Sequence, residues 1–99
     1  MMSKPFYTEC VRHCMRFYSR NQDLSYFKTR ADMENWLACK KAMELYPNDR
    51  DTLIRVYGMP DTIADNVYEI SQTLHIDQNI IWDLLKRFER DVAIMRGLL

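Results

Sequence analysis

Three groups of side chains in this 99-residue chain have the types and spacing to do chemistry. Cys10, His13 and Cys14 stand at i, i+3 and i+4, which would bring three donor atoms to one side of a helix. Zinc takes four ligands, usually from paired C-x-x-C or H-x-x-x-H elements. Only the distant Cys39 and His75 remain to complete a set, and small cysteines are common core residues, so no metal is expected. Arg12, Arg16 and Arg20 recur every four residues. On one ridge, each guanidinium could take an oxygen of a phosphate track. The simpler alternative is a solvated helix face, partly paired with acids such as Asp49 or Asp65. The third group is Gln78, Asn79, Trp82, Asp83, Lys86, Arg87 and Arg90, on the outer side of a helix whose inner side is Ile81, Leu84, Leu85 and Phe88. Gln and Asn can read adenine bidentately in the major groove, and Asp can accept from cytosine. Lys86, Arg87 and Arg90 would hold phosphates. Trp82 would press on a thymine methyl or mark a protein-contact surface.

The elements that must position this third group lie between Asn66 and Met95. Asn66 followed by Glu69 has the form of a capping box, and Val67, Ile70 and Leu74 give a short helix one apolar face. His75-Ile76-Asp77 interrupts it. Asp77 is a good N-cap for the next helix, because its carboxylate accepts from orphan amides at the positive end of the dipole. That helix carries Ile81, Leu84, Leu85, Phe88, Val92 and Met95 inward and should run roughly 27 Å at 1.5 Å per residue.

Upstream, Phe6 to about Arg20 reads as a helix with Tyr7, Val11, Cys14, Met15 and Tyr18 on one face. Asn21 to Lys28 reads as a loop that Leu24, Tyr26 and Phe27 hold down on the domain. Thr29 or Asp32 caps a second helix to about Tyr46, with Met33, Trp36, Leu37 and Met43 as its apolar side, Cys39 at the margin, and Lys40 and Lys41 outward. Asn48 with Asp51 resembles a second capping box, Leu53, Ile54, Val56 and Tyr57 follow, and Gly58 stands where a left-handed terminal residue belongs. Met59-Pro60 stops that helix, and Asp61 to Asp65 forms an acidic bridge long enough for one turn.

Composition bounds the class. Two Gly and three Pro leave little for β-turns, whereas six Tyr, four Phe, two Trp and seven Met supply a helical core. The formal net charge is zero, unlike most domains built to grip phosphate. No apolar run would span a bilayer, and the start Met1-Met2-Ser3-Lys4-Pro5 has no signal-peptide apolar stretch. Three cysteines without a disulfide-like framework suggest reduced thiols in a cytoplasm. The chain offers no phosphate-cradling Gly loop, nucleophile elbow or metal pair, so neither enzymatic activity nor a cofactor is expected. The expected fold is all-α, a single domain (1–99) of about five helices: an N-terminal helical pair (1–46), then a part (47–99) ending in a long helix.

From Leu45 onward the order resembles region four of bacterial sigma factors and the small phage or mobile-element regulators built on it. Their L-P-x-x-x-R-x-x-L-x-x-x-Y-G helix is matched, offset by one at the Pro, by Leu45 through Gly58. Their E-I-A-x-x-L-G-I-S-x-x-x-V/I pattern corresponds to Glu69 through Ile81, with His75 in place of the turn Gly. Uncharged Gln78, Ile80 and Trp82 stand at the family's basic recognition positions. The resemblance covers about half the chain. It implies a helix-turn-helix with a long C-terminal recognition helix, double-stranded DNA as ligand and a role in transcription regulation. With few cations, binding would be weak for one copy, which points to a homodimer or to tethering by RNA polymerase or another host protein. A protein-binding adaptor or inhibitor on the same scaffold, without DNA, is the alternative.

Overall fold

A computed structural model describes residues 4–99; Met1, Met2 and Ser3, part of the start considered above, lie outside the described residues. Five α-helices follow in order: α1 (Thr8–Arg20), α2 (Arg30–Met43), α3 (Arg50–Gly58, preceded by one 3-10 turn at Pro47–Asp49), α4 (Ile63–Leu74) and α5 (Gln78–Arg96). No strand occurs among the described residues, and none of their helices is long and apolar enough to cross a membrane.

The core follows the apolar spacing of each helix. Val11, Cys14, Met15 and Tyr18 of α1 meet Leu53, Val56 and Tyr57 of α3, Val67 and Ile70 of α4, and Ile81, Leu85, Phe88 and Val92 of α5. Each such side chain contributes about 1.5–3 kcal/mol on leaving water. Trp36 of α2 closes one end, packed on Tyr18 and Phe27 with ring centroids 5.3 and 5.6 Å away, and its indole N–H donates to the Asn21 carbonyl at 2.8 Å. The 21–28 loop is thereby held down through Leu24 and Phe27, while Tyr26 points into solvent.

The helix ends test the capping assignments individually. Thr29 accepts from the Asp32 amide at 3.1 Å, and Asp77 accepts from the Asn79 amide at 2.8 Å, as their side-chain chemistry predicts. His75 sits in the left-handed region, φ 56° and ψ 44°, and no other non-glycine described residue has positive φ. Two expected capping boxes are absent. Helix α4 begins three residues before Asn66, with Thr62 accepting from Asp65. Asn66 is fully buried, and its amide donates to the carbonyls of Val56, Met59 and Asp61, tying α4 to the end of α3. Asn48 and Asp51 form no box either: Pro47–Asp49 is a 3-10 turn and Asp49, without a side-chain cap bond, precedes α3.

Gly58 is not left-handed; it is the last helical residue, followed by extended Met59. A Cβ there would lie 3.4 Å from the Ser19 Cβ, at van der Waals contact where α3 packs on α1. Leu74, Met95, Met33 and Leu37 fit the apolar periodicity yet stay 37–43% exposed, outside the core.

Candidate nucleic-acid interface

The seven residues singled out on α5 do not form one uniform face. Asn79, Asp83, Lys86, Arg87 and Arg90 recur at three- and four-residue spacing and are all exposed. Gln78 and Trp82 stand on the flank and are half-buried. Gln78 shares a shallow cleft of about 420 Å³ with Ser71, Gln72, Ile76, Asp77 and Trp82 where α4 turns into α5. On the exposed row the interactions are local, such as the 3.4 Å bond from Arg87 Nε to the carbonyl of Asp83 one turn earlier. Three cations against Asp83 give this row a positive balance although the chain is neutral.

Trp82 faces away from that row, toward α1. The Arg12 guanidinium carbon lies 5.9 Å from its ring centroid, within cation–π range. Together they border a cleft of about 630 Å³ that also reaches His13, Arg16 and the start of α4 at Thr62 and Ile63. Trp82 packs on the core margin and is half-buried.

The arginine stripe of α1 is half-buried at Arg12 and Arg16 and exposed at Arg20, and its partners are other than Asp49 or Asp65. Arg12 Nε donates to Glu89 Oε2 at 3.0 Å, and the Tyr57 hydroxyl donates to the same oxygen at 2.7 Å. Glu89 is almost fully buried, so this carboxylate fastens α5 to α1 and α3 at once. Arg16 donates to the carbonyls of Tyr57, Met59 and Asp61 at 3.3, 3.1 and 2.8 Å; Arg20 donates to those of Gly58 and Met59. The end of a helix leaves carbonyls unpaired and carries partial negative charge, and these guanidiniums satisfy both needs for α3.

Burial and the adjoining Glu89 carboxylate push the Tyr57 hydroxyl well above its ordinary pKa of 10, so it stays a donor. Burial likewise moves the Cys14 thiol to about 11 and raises Cys39 further. Cys10, Cys14 and Cys39 are free thiols, and no group of three or more His, Cys, Asp or Glu side chains is placed to hold a metal among the described residues.

Family models, curated proteins and solved structures return no match to this chain. Its site is therefore defined by its own geometry. Glu89, which joins three helices, is not singled out by the sequence pattern. Its signal was present: it lies four residues after Leu85 and three before Val92, which is core spacing for a residue written as a charge.

Proposed function

We propose that the chain is a DNA-binding transcriptional regulator of sigma region four-like type, with α4 and α5 acting as a helix-turn-helix and α5 as its recognition helix. The single observation that carries this reading is the abrupt left-handed turn at His75 followed by the Asp77 cap, which leaves Asn79, Asp83, Lys86, Arg87 and Arg90 in one exposed row. A short helix, a tight turn and a longer helix with polar residues at its leading end suit insertion into a major groove. Asn79 and Asp83 would meet base edges, with Gln78 and Trp82 at the margin; Lys86, Arg87 and Arg90 would meet phosphates. With only three such cations, affinity for one copy is weak. Regulation would then proceed through a dimer or through tethering to RNA polymerase.

The second reading, an adaptor or inhibitor that binds protein and not DNA, is favoured by exposed Tyr68, Leu74 and Ile80 around the same turn, together with zero net charge. Such side chains are the usual anchors of protein interfaces. Pull-down from a bacterial lysate with and without nuclease separates the two. Recovery of DNA that is lost with nuclease, or of RNA polymerase with or without it, supports the regulator. A partner retained after nuclease and lost in Ile80→Asp, with no shift of duplex DNA, supports the adaptor.

A further inference from the structure

The outer face of α2 carries exposed side chains, and its residue order is self-complementary. At its middle lies Leu37, still 37% exposed, beside Met95 of α5, which is 42% exposed. The two border a groove whose charged edges are Glu34, Lys41 and Arg96. Along α2, Glu34 is three residues before Leu37 and Lys41 four after it; Arg30 is seven before and Glu44 seven after. All four lie on the same side of the helix as Leu37, by the 3.6-residue period.

A helix with this order can face an inverted copy of itself. In an antiparallel pair related by a two-fold axis through Leu37, Leu37 meets Leu37 of the second copy, and Glu34 meets Lys41. Arg30 meets Glu44 on the same axis, and each pair occurs twice, because a two-fold contact is isologous. Met33, also 37% exposed, then lies along the aliphatic stem of Lys40. The present partners of these charges are compatible with exchange. Arg30 is highly exposed in its one-turn pair with Glu34, and Glu34 also reaches Arg96 at 3.4 Å across the groove. Pairs of this exposed kind hold their geometry weakly.

We infer that this chain associates with a second copy through α2, antiparallel about Leu37, with Met95 at the edge of the contact. Met95 lies about 24 Å along α5 from Asn79 at 1.5 Å per residue, so the pairing leaves the leading end of α5 uncovered. The inference does not depend on DNA binding: a dimer that ignores DNA would retain it and remove the function proposed above.

Sedimentation of the full chain over a concentration series tests it. The wild type should show a monomer–dimer equilibrium, and Leu37→Glu should be monomeric with unchanged helical circular dichroism. Arg30→Glu should weaken association roughly tenfold, because two symmetry-related pairs turn from attraction to repulsion. Arg30→Glu combined with Glu44→Arg should restore the wild-type constant. A wild type that stays monomeric throughout, a dimer that survives Leu37→Glu, or a double variant as weak as Arg30→Glu would each overturn the inference.

Discussion

Charged side chains occupy two regions of this molecule to opposite ends. Between α1, α3 and α5, half-buried Arg12 and buried Tyr57 and Glu89 share one carboxylate oxygen and join segments up to 77 positions apart. On the outer row of α5, Asp83, Lys86, Arg87 and Arg90 are exposed and the interaction seen, Arg87 to the Asp83 carbonyl, spans four positions. The same residue types thus build the fold in one place and are left available in the other. What separates them is solvent: a desolvated charge must be paired, whereas an exposed one contributes little to stability and is available to a ligand.

The largest expected effect lies in the buried region. Glu89→Ala leaves Arg12 and the Tyr57 hydroxyl without their acceptor and should cost about 3 kcal/mol in a urea melt. Arg87→Ala and Arg90→Ala should each stay within about 0.5 kcal/mol of wild type. A Glu89→Ala loss no larger than theirs would erase the contrast between the regions.

Alkali should act on the buried side. Tyr57 is held well above its ordinary value by burial and by Glu89, Cys14 is raised from 9.0 to about 11 by burial, and Tyr46 from 10.0 to about 12 by burial and its hydrogen bond to Asp91. The unfolded chain loses these protons first, so folding stability is complete below about pH 9 and falls as pH rises toward 11 and 12. Chemical melts at pH 8, 9.5 and 10.5 should show that decline, with a shallower slope in Tyr57→Phe. A flat profile would contradict the burial of these groups.

A smaller effect belongs to the turn that joins the two regions. His75→Gly relieves a side chain held at positive φ but loosens the unfolded chain, so stability should be unchanged or higher by up to about 1 kcal/mol. A clear loss would mean that the imidazole itself holds the turn.

The exposed region was more legible in the sequence than the buried one. The turn at His75, the caps at Thr29 and Asp77 and the polar outer row of α5 follow from local rules of spacing and φ, which need only neighbouring residues. The two arginine-bound sites do not. Nothing near Arg16 announces that its acceptors are carbonyls more than 40 positions away, left open by the end of α3. Asn66 misled for a related reason. Its spacing to Glu69 has the form of a capping box, but Thr62 and Asp65 offer the same pattern four residues earlier, and the folded chain uses the earlier pair. Released from capping, Asn66 is buried where its amide serves three carbonyls. The helix-end positions Leu74 and Met95 follow the apolar period but are covered only in part, which the arrangement of the helices decides.

The central claim is that the outer row of α5 grips the DNA backbone, and its most direct measurement is the salt dependence of binding to a labelled duplex by fluorescence anisotropy. For the wild type, log affinity should fall with log salt with a slope of about −3, and Arg87→Ala or Arg90→Ala should each bring the slope about one unit closer to zero. Binding whose slope is the same in wild type and both variants, or no binding at low salt by protein that melts normally, would contradict the account.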